Sequence, residues 1–134
     1  MTMIKQWRAT CVALAIPFST GNPAMADTLP SDGTTLLNVC NTTVRMLDEQ
    51  ATPSGDSAME FGYCLGFLEA TRNMMMILES VKGNQKTTCF PTTGINNGQT
   101  ARIVVKYLKD HPADLNQDKT LLTMLALRDA YPCK

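Results

Sequence analysis

The apolar residues of the chain recur at intervals of three and four residues in four separate segments. This spacing places them on one face of an α-helix, whereas a half-buried strand alternates at every second residue. The predicted helices span residues 35–50, 57–81, 96–110 and 116–130. Short stretches with proline or glycine separate them. The pattern predicts an all-α fold, a compact bundle of about four main helices.

Residue types at the segment ends support these boundaries. Ser57 with Glu60, and Asn96 with Gln99, have the spacing of a capping box, in which two side chains satisfy free backbone groups at a helix start. Pro112 ends the third helix, because the residue before a proline is pushed out of helical geometry.

The second helix carries two runs of unusual composition. Gly62, Gly66 and Ala70 recur every four residues, which places them in one row along the helix. Each helical glycine costs about 1 kcal/mol relative to alanine, so we expect close contact with another helix along this row. The methionines at 74–76 cannot all face one core, and at least one is expected at the surface. Most of the chain's methionines are interpreted as core filler.

The last two helices are apolar on nearly every side, and a cysteine stands just outside each end of this hairpin. A helix that is apolar on all sides is buried on all sides. The hairpin is therefore expected to be the core or, in part, an oligomer interface. A bond between Cys89 and Cys133 would close a loop of roughly 45 residues, worth about 4 kcal/mol in the chain-entropy model. We predict that this hairpin is the structural centre.

The start of the chain has the pattern of a secretory signal peptide. Lys5 and Arg8 precede an apolar run at 9–18, and Ala24 and Ala26 frame an Ala-x-Ala cleavage site. Cleavage after Ala26 would release the first 26 residues.

The apolar run is shorter than the roughly 20 residues that span a bilayer. No other run is long enough, so no membrane anchor is expected. Cys11 lies inside the signal peptide (1–26) and would leave with it. The predicted mature protein is a single helical domain, 27–134, located in the periplasm.

Removing 26 of the 134 residues leaves 108, the size of one domain. Ten basic and twelve acidic residues remain, a net charge of −2, which argues against a nucleic-acid partner. The remaining cysteines are Cys40, Cys64, Cys89 and Cys133. An even number behind a signal peptide predicts two disulfides, for which four cysteines permit three pairings. No Cys-x-x-Cys pair occurs, which disfavours a metal site.

Few residues are suited to catalysis. His111 is the only histidine and stands at a helix end before a proline, a position more typical of a helix terminus than of a catalytic base. A Cys–His nucleophile pair would need a free cysteine. A glycosidase-like carboxylate pair among the twelve acidic residues stays open. We predict a non-enzyme with no catalytic residue, cofactor or metal.

An ordered set of short motifs resembles the Rap/Tai immunity proteins, small secreted helical proteins that neutralise peptidoglycan amidase effectors of bacterial type VI secretion. The resemblance covers residues 36–133, nearly the whole predicted mature chain. The motifs are the 63–67 run around Cys64, Cys89 followed by Pro91, Gly98-Gln99, the 104–108 run, His111-Pro112 and the closing Tyr131-Pro132-Cys133. Family members often close with Phe-Pro-Cys, so Tyr131 is a departure.

The resemblance implies a function by occlusion. Amidases of this class cut stem peptides with a Cys–His site in a cleft, and the immunity protein blocks that cleft from outside. The implied partners are a cognate secreted amidase and a second copy of the chain, as a homodimer. A different class of protein, a periplasmic chaperone or envelope-stress binding protein, fits the same size, helices and disulfides. A peptidoglycan hydrolase or its regulator lacks residues to carry it.

The expected up-and-down order of the helices selects one disulfide pairing. The second helix would end at the pole where the third begins and the fourth finishes, which brings Cys89 near Cys133. Cys40 and Cys64 lie on the neighbouring first and second helices. We therefore predict the pairs Cys40–Cys64 and Cys89–Cys133.

The predicted partner-binding surface is an uncharged segment before the third helix, joined by the corner at 110–116. Loops on a rigid scaffold are where binding tends to be placed, and a slender uncharged loop could enter an amidase cleft. A plain connection between helices is an equally good interpretation. The residues of the segment are Thr92, Thr93, Gly94, Ile95, Asn96, Asn97 and Gly98.

Overall fold

The computed structural model describes residues 31–134, which form a bundle of four α-helices. The helices are α1 (Gly33–Glu49), α2 (Asp56–Val81), α3 (Asn97–Asp110) and α4 (Lys119–Ala130). Short 3-10 turns, Gly83–Gln85 and Pro112–Asp114, follow α2 and α3. The described residues contain isolated β-bridges but no strand. The all-α prediction is confirmed, while the predicted signal peptide lies outside the described residues.

Acidic and amide side chains set the starts of three helices. Asp32 accepts a hydrogen bond from the Thr35 amide at 2.9 Å, so α1 begins before the predicted position. Asp118 accepts from two amides of the first turn of α4, which begins at Lys119 rather than at residue 116. Asn96 caps α3 through the Gln99 amide at 2.8 Å. The reciprocal half of that capping box is absent, because the Gln99 side chain donates to the Tyr131 hydroxyl.

The capping box predicted at Ser57 is wrong. The helix α2 already begins at Asp56, after Gly55, and no side chain caps it. The Ser57 hydroxyl accepts from the Ser54 amide and donates to the Ser54 carbonyl. Because Ser57 lies inside the first turn, its hydroxyl stabilises the preceding turn instead of the helix start.

All four helices contribute to one core, and the disulfide between α1 and α2 lies inside it. Cys40 and Cys64 are both 0% exposed, with their Cα atoms 5.2 Å apart. Cys89 and Cys133 also form a disulfide, with Cα atoms 4.9 Å apart, so the predicted pairing is confirmed. The other members of the central cluster are Leu36, Leu68, Ala101, Val104, Val105, Leu108, Leu122 and Ala126, and Met46, Met75 and Leu127 are also buried.

The prediction that the Cys89–Cys133 hairpin is the structural centre is wrong in one respect. α3 and α4 do supply core residues, but their disulfide lies at the periphery, where Cys89 is exposed. The helix α4 is also not buried on every side, because Leu121 and Met124 retain 46% and 36% of their exposure. The core cluster draws four residues from α3 and two each from α1, α2 and α4, so the hairpin contributes to the core without forming it alone.

The outer side of α2 contradicts two further predictions. Gly62 and Gly66 have no neighbouring atom within 4 Å of an added Cβ, and Ala70 is exposed, so the small-residue row packs against nothing within residues 31–134. Most methionines with described positions in the helices are not core filler: Met46 and Met75 are buried, but four others are exposed. The four exposed methionines are Met59, Met74, Met76 and Met124. Periodicity placed the small residues on one face of α2, but it could not show that this face points away from the core.

The helices within residues 31–134 also bear on the prediction about membranes. None of them combines the length and apolar character that crossing a bilayer requires.

Candidate binding surface

The segment predicted to bind a partner, residues 92–98, forms an exposed tip between two fixed ends. Thr92, Thr93 and Gly94 are exposed. The Gly94 amide donates to the Pro91 carbonyl at 2.9 Å, which closes a turn. Gly94 has a φ of 76°, in the left-handed region that favours glycine. The tip is therefore a defined turn that carries no charge.

The N-terminal end of this segment is held to the C-terminus of the chain. The disulfide Cys89–Cys133 joins the two covalently. The Cys89 amide donates to the Tyr131 carbonyl at 2.8 Å, and the ring centroids of Phe90 and Tyr131 lie 5.7 Å apart. A covalent bond, a hydrogen bond and an aromatic contact together fix this end.

Glu79 holds the connection that leads from α2 to Cys89. Its carboxylate accepts hydrogen bonds from the Lys82 ammonium at 2.8 Å, and from the Thr87 amide and hydroxyl at 2.9 Å each. The Lys82 hydrogen bond is the largest cause that lowers the pKa of Glu79, from 4.5 to about 2. The carboxylate is thus ionised at neutral pH, and its hydrogen bonds hold residue 87 against the C-terminal end of α2.

The C-terminal end of the 92–98 segment is held by Arg72, a residue that sequence reasoning did not identify. Arg72 is only 9% exposed, and one guanidinium nitrogen donates to the Ile95 carbonyl at 2.8 Å and to Asn97 Oδ1 at 3.0 Å. It also contacts the Thr100 hydroxyl at 3.3 Å. A signal was present: Arg72 lies four residues after Leu68, on the buried face of α2.

The Asn97 side chain connects Arg72 to a carboxylate. Its amide nitrogen donates to Glu69 Oε2 at 2.7 Å, while its amide oxygen accepts from Arg72. Within residues 31–134 Arg72 forms no direct ion pair. Asn97 therefore links Arg72 to Glu69 through two hydrogen bonds. We name this network of Arg72, Asn97 and Glu69 the Arg72 clamp.

The structure does not bring the corner at 110–116 close to the 92–98 segment. The two lie at opposite ends of α3, whose 14 residues span about 20 Å. The corner packs on the start of α1 instead, where Thr34 donates from its amide to the Leu115 carbonyl at 3.1 Å. A Cβ added to Gly33 would lie 3.1 Å from the same carbonyl oxygen, so the approach is close.

His111 forms the end of α3. Its Nδ1 lies 2.8 Å from the Tyr107 carbonyl oxygen, and its ring stacks on the Tyr107 ring with centroids 4.0 Å apart. Burial is the largest cause that raises the pKa of Tyr107. Residues 31–134 contain no group of three or more His, Cys, Asp and Glu residues that could hold a metal ion.

A second surface without charge follows the outer side of α2. Its members recur at intervals of three and four residues and are all exposed, with Met59 at 76%, Ile77 at 60% and Val81 at 78%. None of the members is charged, although the exposed Glu69 lies beside the row. We name this surface the α2 outer row. It consists of Met59, Gly62, Gly66, Ala70, Asn73, Ile77 and Val81.

The matched family agrees with this architecture. The family model of the Rap1a immunity proteins matches residues 32–133, from the N-cap of α1 to the last disulfide cysteine. The chain belongs to this family of immunity proteins, and the resemblance inferred from its motifs is confirmed. No curated protein and no solved structure matches the chain.

Proposed function

We propose that the protein is a periplasmic immunity protein that binds and occludes a peptidoglycan amidase effector delivered by type VI secretion. Membership of the Rap1a immunity family supports a role against a secreted effector. The proposed amidase target follows from the motif resemblance. Export would depend on residues 1–26, and the two disulfides are compatible with an oxidising compartment.

The observation that carries the proposed binding mode is the exposed tip at 92–94 held between two fixed ends. Binding costs less when a loop is already ordered in its bound conformation. A tip of two threonines and a glycine is narrow and uncharged, which suits insertion into a cleft. The protein would act by steric exclusion, without catalytic residues of its own.

A substitution at the tip tests this binding mode. Thr93→Asp places a charge and a longer side chain on an exposed turn without touching the Arg72 clamp. We expect inhibition of the amidase encoded beside the gene to weaken at least tenfold, which corresponds to about 1.4 kcal/mol. Asn97 is less suitable for this test than Thr93, because its side chain bridges Arg72 and Glu69.

Asn41→Asp is the matched control, since it adds the same charge at an exposed position of α1. Full inhibition by Thr93→Asp, with helical content unchanged, would move the interface to another surface.

The proposal includes a homodimer formed through the α2 outer row. In an antiparallel pair of α2 helices centred between Gly66 and Ala70, these two residues face each other across the copies. The same register places Ile77 of one copy opposite Met59 of the other. Bulky side chains then meet each other at the ends. Small residues at the centre allow the two backbones to approach closely.

Sedimentation of the mature protein tests the dimer. Ala70→Glu introduces a charge at the centre of the α2 outer row with little change in helix propensity. We expect a dimer for the unmodified chain and a monomer for Ala70→Glu, while Asn41→Asp remains a dimer. A monomer in all three proteins would remove the homodimer from the proposal.

An apolar groove between α2 and α4 supports the alternative function, that of a periplasmic chaperone. The groove has a volume of about 270 Å³, and exposed Met74, Leu78 and Met124 lie along it. A chaperone should suppress aggregation of an unrelated unfolded protein, whereas an immunity protein should not. Suppression by the mature protein at equimolar concentration, together with no inhibition of the amidase, would favour this alternative.

A further inference from the structure

The buried Arg72 side chain depends on the 92–98 segment for its shortest hydrogen bonds. A buried guanidinium is costly unless its donors are satisfied. Here Ile95 supplies a carbonyl oxygen and Asn97 an amide oxygen, both from the segment. Movement of the segment away from α2 would leave the buried charge with the Thr100 hydroxyl and a marginal 3.5 Å contact to Asn73.

The carboxylate of Glu69, opposite in charge to Arg72, also receives a hydrogen bond from the 92–98 segment. Glu69 precedes Arg72 by three residues, the spacing at which helical side chains are neighbours. They nevertheless connect through Asn97, whose amide nitrogen lies 2.7 Å from the Glu69 carboxylate. Departure of Asn97 would therefore separate both charged groups from their common partner. This makes the segment part of a polar network of α2.

The clamp orders the segment close to its exposed tip. Ile95 is the first residue after Gly94, and Asn97 is the first residue of α3. The Asn96 carbonyl accepts from the Thr100 hydroxyl at 3.0 Å, which fixes the residue between them. With the disulfide at the other end, the tip has few alternative positions.

We propose that Arg72 is a positioning residue, which holds the tip at 92–94 in the one conformation that the effector binds. This inference rests on the proposed function. A loop that is ordered only part of the time binds with an affinity reduced by the fraction in the competent conformation. Loss of the clamp therefore lowers affinity without removing any contact between the tip and the effector.

Amide hydrogen exchange of the free protein tests whether Arg72 orders the tip. In Arg72→Gln we expect exchange of the Gly94 amide, which donates to the Pro91 carbonyl, to be at least tenfold faster, with the core amides of α1 and α3 unchanged. Asn97→Ala is the second variant, because it breaks the bridge while Arg72 keeps the Ile95 carbonyl, and it serves if Arg72→Gln does not fold. Arg45→Gln, at an exposed position of α1, is the control. Unchanged exchange of the Gly94 amide in both variants would overturn the inference.

Binding kinetics with the amidase encoded beside the gene test whether this order of the tip promotes binding. Loss of preorganisation should lower the association rate about tenfold and change the dissociation rate less than twofold. Thr93→Asp, which alters the contact itself, should instead raise the dissociation rate.

Three other results separate the possible failures. Weak binding by Thr93→Asp with normal binding by Arg72→Gln and Asn97→Ala would overturn the positioning role and leave the proposed function intact. Normal binding by all three variants would overturn the positioning role and move the interface away from the tip. Absence of binding between the unmodified protein and the amidase would overturn the proposed function itself.

Discussion

The two disulfides have the same chemistry but opposite surroundings. Cys40 and Cys64 are fully buried between α1 and α2, among core residues from all four helices. Cys89 is exposed, and its bond to Cys133 joins two chain segments outside the helices. The first bond belongs to the core, and the second fixes the base of the exposed tip.

Loop-closure entropy and burial give opposite answers as to which disulfide contributes more to the free energy of unfolding. Cys89–Cys133 spans 44 residues and Cys40–Cys64 spans 24, so chain entropy alone favours the surface bond by a few tenths of a kcal/mol. Burial favours the internal bond, because its removal also leaves a cavity. The surface bond loses part of its entropic advantage, because the segments it joins can fray in the folded protein once they are released.

Removal of the buried disulfide should have the largest effect. Cys40→Ala with Cys64→Ala is expected to lower the free energy of unfolding by about 4 to 5 kcal/mol. Cys89→Ala with Cys133→Ala should cost about 2 to 3 kcal/mol. Urea unfolding of both double variants provides the comparison. An equal or larger loss for the surface pair would show that chain entropy outweighs burial.

Mild reduction should distinguish the two bonds kinetically. A thiolate must reach a disulfide sulfur to open it, and only the Cys89–Cys133 bond has an exposed cysteine. We expect low concentrations of dithiothreitol to open this bond at least tenfold faster, as measured by alkylation and mass spectrometry. Faster opening of Cys40–Cys64 would contradict the assignment of core and surface roles.

Substitution of Gly94 examines the tip that the surface disulfide supports. Gly94→Ala should cost about 1 kcal/mol, because the φ of 76° strains any residue with a Cβ. The matched control is Gly62→Ala, which is also free of nearby atoms but lies in regular α-helix. It should stabilise by up to about 1 kcal/mol. Thermal unfolding that moves both variants in the same direction would exclude strain as the cause.

The smallest effect concerns Glu79, near the surface disulfide. Its pKa is about 2 in the folded protein against an ordinary value of 4.5. The unfolded chain therefore takes up the proton first as the pH falls, so this stabilisation is complete above pH 4.5 and is lost towards pH 2.

Glu79→Gln checks this pH dependence. We expect the difference in urea midpoint between the unmodified chain and Glu79→Gln to be largest near pH 7 and to narrow by pH 3. Other acidic groups with lowered pKa values, such as Asp118, remain in both proteins and cancel in that difference. A constant difference across this range would contradict the role of the ionised carboxylate.

The helices and the disulfide pairing were predictable from sequence because both follow from local periodicity and helix order. The helix starts were less predictable, since Asp32 and Asp118 compete with neighbouring polar residues for the capping position. The small-residue row showed the limit of a single sequence. Spacing placed Gly62, Gly66 and Ala70 on one face correctly, but nothing local indicated that this face points away from the core.

The candidate surface was predictable only in outline. The uncharged segment before α3 could be found from composition, and its exposed tip agrees with that description. The Arg72 clamp was not found, because it joins residues 23 and 25 positions apart through contacts that no local pattern encodes. A charged residue in the buried register of α2 was the available signal.

The order of the disulfides along the chain has a consequence for biogenesis. Among the cysteines of residues 31–134, the first is joined to the second and the third to the fourth, so the two covalent loops neither overlap nor enclose one another. A chain that enters an oxidising compartment from its N-terminus can close the first bond before Cys89 arrives. Pairing in simple order of appearance then gives the native set, and no disulfide has to be reopened by an isomerase.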